Sequence, residues 1–343
     1  MNVVTFKPKQ VTKKLLSILP DRARDVLEKR YGLGKTSATH TLESIGKTYG
    51  ITRERVRQIE NYGLQSIRKS DIYAEQQGVF EELRDALNTL GGVVSEDELL
   101  DELAPDASTR NHVYFLLVLG DPFYKNRENT SFRHRWYLER KILDQVESAL
   151  ATIFESLTED ELVSEEEILG RLRTELADLA AQYSDDAVLR RWLGITKEID
   201  RNPLGEWGPA TSPNVRAKGI RDYAYLAVKR HGSPMHFREV AEAIQGLFEK
   251  KAHVATTHNE LIKDPRFVLV GRGLYALTEW GYSAGVVKDV LRDILVKAGP
   301  LTRDEIIDRV RKERYVKDNT IVVNLQDPSI FKKLPDGSYM VIE

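Results

Sequence analysis

Residues 41–68 read TLESIGKTYGITRERVRQIENYGLQSIR, and this stretch decides the fold of the N-terminal part of the chain. Its apolar residues predict two helices joined by a tight turn at Gly50-Ile51-Thr52. Gly46 is small where the helices must approach, and Gly50 tolerates the backbone angles of the turn. The pattern predicts a helix-turn-helix, with five apolar side chains packed between the helices: Ile45, Tyr49, Ile51, Val56 and Ile59.

The second helix of this motif has two faces of opposite character. Thr52 is its predicted N-cap. At about 100° per residue, one face is apolar and consists of Val56, Ile59, Gly63 and Ile67. The opposite face is polar and consists of Glu54, Arg57, Gln58 and Asn61. Arg pairs with guanine edges, Gln with adenine, and Glu accepts from cytosine, so this face predicts base reading in a major groove.

Basic residues around this face predict contacts that do not depend on base sequence. Arg53 and Arg55 lie near the start of the helix, in reach of bases or phosphates. Lys35, Lys47 and Arg68 are predicted phosphate contacts. The complete predicted DNA-binding set is Thr52, Arg53, Glu54, Arg55, Arg57, Gln58, Asn61, Lys35, Lys47 and Arg68.

LPDRARDVLEKRYGL (19–33) followed by THTLESIGKTYGITRERVRQIENYGLQSIRK (39–69) resembles region four of the primary bacterial sigma factors. In that family this helix reads the minus-35 promoter element, and the region contacts core RNA polymerase. The resemblance implies base reading by Arg53, Glu54, Arg57 and Gln58. It is confined to the N-terminal part of the chain, 1–72, and no other stretch resembles the aromatic, strand-melting region of a sigma factor. Promoter melting is therefore not expected.

Charge is unevenly distributed along the 343 residues, although the net charge is only −2. Residues 1–70 carry 15 Lys and Arg against 6 Asp and Glu, a balance of +9. Residues 71–200 carry 13 against 29, a balance of −16, and residues 201–343 carry 23 against 18, a balance of +5. The basic N-terminal part suits phosphate, whereas the acidic middle would be repelled by it. Different parts of the chain are expected to meet different partners.

The remainder of the chain repeats a unit containing the pattern [S/T/H]-x-x-E at a helix start. The patterns begin at Ser95, Ser164, His236 and Thr302, and their glutamates are spaced at a nearly regular interval along the chain. Those with Ser or Thr predict capping boxes. Hairpin sequences follow at 123–138, 267–277 and 330–342. Helices followed by a hairpin predict tandem winged helices at 78–140, 141–213, 217–282 and 284–343.

The unit at 217–282 resembles the HARE-HTH family of winged helices, through AVKRHGSPMHFREVAEAIQGLF and HVATTHNELIKDPRFVLVGRGLYALTEWGY. That family occurs in the delta subunit of bacterial RNA polymerase and in some chromatin and restriction proteins. The resemblance implies a transcription or DNA context. Conventional DNA reading by such a unit would use its third helix, roughly Thr256–Lys263, and Arg272 in the wing.

Several sequence features argue against an enzyme. There is no Cys, which excludes disulfides and thiolate chemistry. Gly34-Lys35-Thr36 lacks the first glycine of a phosphate-binding loop, since position 29 is Lys29. The glycines around Arg272 predict a hairpin rather than a dinucleotide site. The seven His form no zinc motif, so no catalytic residue, metal or cofactor is predicted. No apolar stretch is long enough to span a membrane, and a cytoplasmic, nucleoid-associated protein is expected.

These observations predict a mainly α protein with small β-wings: a sigma-like helix-turn-helix followed by tandem winged helices. The predicted function is sequence-specific binding of double-stranded, promoter-like DNA, with core RNA polymerase as a second partner. Two alternatives stay open. One is a polymerase-binding modulator, delta-like or a sigma competitor, with little base reading. The other is the DNA-recognition component of a restriction or modification system. The sequence leaves the oligomeric state open.

Overall fold

The computed structural model describes residues 4–104, 106–183, 185–282, 287–313 and 316–342. The chain forms two compact units. The first comprises Met1–Asp200 and Trp207–Ala210, and the second comprises Arg201–Glu206 and Thr211–Glu343. The described residues are mainly helical and carry small antiparallel sheets, as the sequence predicted.

The N-terminal helices are bounded where their sequence predicts. They are α1 (Pro8–Leu16), α2 (Asp21–Tyr31), α3 (Leu42–Tyr49) and α4 (Arg53–Arg68). The α2 helix ends at Gly32, whose φ of 64° is left-handed and costs glycine little. The α3 helix is capped by Thr41, whose hydroxyl accepts a hydrogen bond of 3.1 Å from the Ser44 amide.

A second group of elements follows in the first unit. They are α5 (Asp71–Glu75), α6 (Gln77–Thr89), β1 (Val93–Ser95), α7 (Glu96–Leu103), α8 (Ala107–Leu119), β2 (Tyr124–Asn126) and β3 (Arg135–Tyr137). The three strands form an antiparallel sheet in the order β1-β3-β2. This sheet contains the predicted hairpin at 123–138.

One hydrophobic core joins these two groups of helices. It is formed by α1, α2 and the end of α4 on one side and by α6, α7 and α8 on the other, with Trp136 from β3. Leu15, Leu27, Ile67 and Phe115 in it are all 0% exposed. Helix α8 packs against both α1 and α2. The helix-turn-helix is therefore held on a base that includes residues after position 70.

The rest of the first unit surrounds a separate apolar cluster. Its elements are α9 (Arg140–Ser156), α10 (Glu165–Glu175), α11 (Ala177–Gln182), α12 (Asp186–Leu193), β4 (Ile199–Arg201) and β5 (Trp207–Pro209), with β4 and β5 in a two-stranded sheet. Leu150, Ile168, Leu189 and Trp192 are among the residues buried at its centre.

The second unit contains two further groups. The first is α13 (Ile220–His231), β6 (Met235–His236), α14 (Phe237–Phe248), α15 (Val254–Lys263), β7 (Phe267–Gly271) and β8 (Leu274–Leu277), with a sheet in the order β6-β8-β7. The second is α16 (Val287–Ala298), α17 (Arg303–Glu313), α18 (Asp318–Leu325), β9 (Phe331–Lys333) and β10 (Tyr339–Val341). The hairpins predicted at 267–277 and 330–342 are both present. The predicted start of the last repeat, residue 284, lies outside the described residues.

Some of the predicted helix caps form the expected hydrogen bonds and others do not. Thr302 and Glu305 form a full capping box, and Ser164 accepts from the Glu167 amide at 3.2 Å. His236 also forms a reciprocal cap with Glu239, although the sequence predicted this only for Ser and Thr. The prediction was wrong at Ser95, whose side chain caps nothing.

The exception at Ser95 has a local cause. Ser95 is the last residue of β1 and pairs with Arg135 of β3. The amide of Glu96 therefore donates to the carbonyl of His134 across the sheet at 2.8 Å. The strand pairing satisfies a donor at the start of α7, so this helix begins from a sheet rather than from a side-chain cap.

A single carboxylate ties the two ends of the last group together. Asp327 accepts from Lys288 of α16, and from the amide and hydroxyl of Ser329 at 3.0 and 2.6 Å. These hydrogen bonds, that of Lys288 first, lower the pKa of Asp327 from 3.8 to about 2. Because the pKa is lowered in the folded state, the ionised Asp327 stabilises the fold at any pH above its ordinary pKa. This stabilisation is lost as the pH falls towards 2.

We therefore expect Asp327→Asn to lower the melting temperature at pH 6, by an amount that shrinks between about pH 4 and pH 2. The check is thermal unfolding of both proteins across pH 2–6. Asp293→Asn is the matched control, because Asp293 lies exposed on the same helix as Lys288 and forms no ion pair with any described residue. A difference at Asp327 that stays constant with pH would contradict the assignment.

Candidate nucleic-acid interface

The turn between α3 and α4 has the geometry that its glycines predicted. Gly50 has a φ of 63°, and the Ile51 amide donates to the Gly46 carbonyl at 3.0 Å. A Cβ on Gly46 would lie 2.7 Å from the Ile51 carbonyl oxygen, so only glycine fits there. Thr52 caps α4 by accepting from the Arg55 amide at 3.2 Å, as predicted. The helix-turn-helix is confirmed.

The predicted inner side chains pack together beneath the turn. Ile45 and Val56 are buried with Val26 of α2, and Leu42, Tyr49, Ile51 and Ile59 pack against them. Further along α4, Gly63 and Ile67 are buried on the same face. This packing fixes α4 against α2 and α3, so the polar face of α4 points away from the core.

Six predicted contact residues occupy that outward face. Arg53, Glu54, Arg55, Arg57, Gln58 and Asn61 are all exposed, and all lie in the first three turns of α4. The structure therefore brings these six predicted contact residues together on one continuous surface.

Two pairs of side chains organise this surface in the free protein. Arg57 forms a two-pronged contact with Glu54, with N–O distances of 2.9 and 2.7 Å. Arg55 donates to Gln58 at 3.0 Å. The hydrogen bond from Arg57 lowers the pKa of Glu54 and raises that of Arg57. Both pairs are exposed, so they are worth little to stability. They hold the Arg57 guanidinium and the Gln58 amide against neighbouring side chains of the same exposed surface.

The predicted phosphate contacts have different surroundings. Lys35 is exposed and forms no ion pair with the described residues. Lys47 forms a surface ion pair of 2.9 Å with Glu43 and lines an open groove at the turn together with Arg53 and Arg55. Both lysines remain available to an anion, since an exposed ion pair exchanges at small cost.

Arg68 is placed differently from the other candidates. Its guanidinium donates to the carbonyls of Leu119 and Val118, each at 2.9 Å, at the C-terminal end of α8. It is also about 22 Å along the helix axis from Arg53, at 1.5 Å per residue. Arg68 thus satisfies helix-end carbonyls of α8. These partners are distant in sequence, so the local pattern did not show them.

A positioning group that the sequence analysis missed is Glu60. This carboxylate is 9% exposed on the inner side of α4 and accepts from the Tyr31 hydroxyl of α2 at 2.9 Å. Arg30 lies 3.5 Å away from the same carboxylate. Burial and the neighbouring Glu60 raise the pKa of Tyr31. The signal available in the sequence was a charged residue, Glu60, between the apolar-face positions Ile59 and Gly63.

Two features are absent from the described part of the chain. Those residues contain no group of three His, Asp or Glu able to hold a metal ion. They also contain no helix that is long and apolar enough to cross a membrane.

Comparison with known proteins agrees with this geometry. Residues 15–69 match the family model of Sigma-70, region 4. The chain therefore contains a region 4 domain, a DNA-binding helix-turn-helix involved in transcription. The RNA polymerase sigma factor SigA of Listeria monocytogenes serovar 1/2a (strain ATCC BAA-679 / EGD-e) is 43% identical over 60 residues. Those residues are 18% of this chain and 16% of that protein, so the likeness is confined to one domain.

Proposed function

We propose that this chain is a non-enzymatic, sequence-specific DNA-binding transcription protein that reads a minus-35-like element with α4. The observation that carries the proposal is the continuous exposed surface of Arg53, Glu54, Arg57 and Gln58 on a capped helix of a region 4 domain. Arg57 and Gln58 are the base-reading residues, because their donors and acceptors match guanine and adenine edges.

Phosphate contacts supply affinity that does not depend on the base sequence. Lys35, Lys47 and Arg55 are assigned this role because all three are exposed near the start of α4 or beside it. Thr52 and Asn61 flank the base-reading residues. Arg68 is the least favoured member of this set, because its Nε and Nη2 already donate to carbonyls of α8.

The packing of the domain favours DNA reading over a purely docking role. The shared core covers the side of the N-terminal helices formed by Leu15, Leu27 and Ile67, against α6 and α8. That side is not available to an outside partner. The α3–α4 side remains exposed, and its chemistry is that of a base reader.

The remaining chain is assigned to partner contacts. We assign residues 78–140, 141–213, 217–282 and 284–343 to winged-helix units, with that at 217–282 of the HARE-HTH type. In that unit α15 and the exposed wing residue Arg272 would be the DNA-reading elements. Core RNA polymerase is the proposed second partner, because SigA is named as one of its sigma factors. With these proposed partners, we assign the protein to the cytoplasm, at the nucleoid.

The test is a titration of the full chain against a labelled duplex with a minus-35-type element and against a scrambled duplex. We expect the first to bind at least tenfold more tightly, which is about 1.4 kcal/mol. Arg57→Ala with Gln58→Ala should remove that preference while leaving binding to the scrambled duplex nearly unchanged, because phosphate contacts persist.

The matched control is Arg84→Ala with Gln77→Ala, which removes the same residue types from exposed positions of α6, outside the proposed surface. This variant should keep the preference. Equal binding of the two duplexes by the wild type would refute base reading by α4. A competition assay with a sigma factor for core polymerase would then test the modulator alternative.

A further inference from the structure

A cleft of about 740 Å³ lies in the first unit, away from the outward face of α4. It is walled by α1, by one side of α2 and the loop after it, and by the start of α8. Its size falls within the range of small-molecule sites. The residues that matter for its chemistry are Lys9, Thr12, Lys13, Lys35 and His112, together with the carboxylate of Glu28.

The cleft is lined by four basic side chains against one carboxylate, that of Glu28. Lys9, Lys13 and Lys35 are all exposed, and none forms an ion pair with the described residues. Lys9 and Lys13 stand one turn apart on α1, where like charges repel. Arg24 also lines the cleft but is occupied, since it donates to the carbonyls of Leu16 and Leu19. An anion between the three lysines would relieve their mutual repulsion.

Two buried polar groups in the cleft wall also favour a bound ligand. Thr12 is 0% exposed and His112 is 7% exposed. The hydroxyl of Thr12 and Nδ1 of His112 have no hydrogen-bond partner among the described residues. Buried polar atoms are nearly always paired, so each exception calls for an explanation, and a bound water or ion is one such explanation. Burial, then the nearby Lys9, lowers the pKa of His112, which favours the neutral ring with one donor and one acceptor nitrogen.

We propose that this cleft binds a small phosphate-bearing ligand, of which a nucleotide is the natural form. Its phosphates would lie among Lys9, Lys13 and Lys35. Its organic part would lie on the apolar wall formed by Leu16 and Leu33. Phosphate is favoured because three separate lysine cations suit an anion with several charged oxygens.

The shape of the cleft favours a small ligand over a DNA backbone. Phosphates of a duplex lie on a convex surface, whereas these lysines face into a concave space between three elements. Lys35 alone belongs both to this cleft and to the proposed DNA surface. Lys9 and Lys13 therefore separate the two kinds of binding in an experiment.

The experiment is calorimetric titration of the full chain with ATP and, separately, with pyrophosphate. We expect Lys9→Gln with Lys13→Gln to weaken ATP binding at least tenfold and to leave duplex affinity within twofold. Lys69→Gln with Lys141→Gln is the charge-matched control, since both are exposed lysines of the same unit that do not line the cleft. This control should bind ATP like the wild type.

A second readout follows His112 directly. In protein labelled at histidine, ATP or pyrophosphate should shift the ring resonance of His112, and His112→Gln should remove that signal. The proposal is overturned if neither probe gives heat or a His112 shift at millimolar concentration. It is also overturned if both lysine variants weaken ATP equally, which would indicate non-specific attraction. Loss of duplex affinity without any nucleotide binding would assign Lys9 and Lys13 to DNA instead.

Discussion

Replacing Phe115 with alanine is expected to lower the free energy of unfolding of the first unit by about 3–5 kcal/mol. Phe115 is 0% exposed on α8 and lies edge-on to Tyr31 of α2, with ring centroids 5.2 Å apart. Tyr31 in turn donates to Glu60 of α4. The cavity left at position 115 therefore loosens both α8 and the support of the recognition helix.

Hydrogen exchange measured peptide by peptide tests this coupling. Protection should fall by the same free energy in peptides from α4 and from α8, because one core holds both. Phe115→Leu, which keeps most of the volume, should cost clearly less. Should protection fall in α8 while α4 keeps its wild-type value, the two helices would not share a cooperative core.

Gly46→Ala should destabilise the helix-turn-helix by about 1–3 kcal/mol and weaken duplex binding at least tenfold. The new Cβ would lie 2.7 Å from the Ile51 carbonyl oxygen and 3.5 Å from the Arg53 amide nitrogen. Both atoms belong to the backbone of the turn, so the backbone itself must move. The start of α4 would then leave the orientation in which Arg57 and Gln58 face outward.

The same substitution at Gly170 provides the control. Gly170 lies within α10, and a Cβ there meets nothing within 4 Å. Alanine favours a helix interior, so Gly170→Ala should raise stability by about 0.5–1 kcal/mol. Opposite signs in chemical denaturation are the expected result. If Gly46→Ala were neutral and bound DNA normally, the close approach of α3 to the turn would not matter.

Features determined by neighbours in sequence were predicted well. The turn at Gly50, the cap at Thr52 and the exposed face from Arg53 to Asn61 each depend on residues within a few positions. The hairpins were predicted for the same reason, because alternating apolar residues and a glycine turn are local signals.

Features determined by distant neighbours were not predicted. Arg68 finds its carbonyl partners in α8, and Glu60 finds its hydroxyl partner in α2. Ser95 lost its expected cap because β1 pairs with the distant strand β3, and the carbonyl just before β3 accepts from the amide beside Ser95. Each outcome depends on which elements meet, and periodicity within one segment carries no such information. The identities of the DNA-contact residues stay predictions until they are tested.

The hydrogen bonds that join α8 to the N-terminal helices limit how this protein could be redesigned for a new DNA target. Asn111 of α8 donates to the carbonyls of Gly32 and Ser37, at 3.0 and 2.9 Å, and Arg68 holds the other end of the same helix. A graft that exchanges only the outward side chains between residues 53 and 61 leaves all of these contacts intact. A cassette spanning residues 1–70 from another protein would arrive without them. The protein can therefore be retargeted by substituting the outward side chains of α4 alone. Transplanting the whole N-terminal domain would also require redesigning α8.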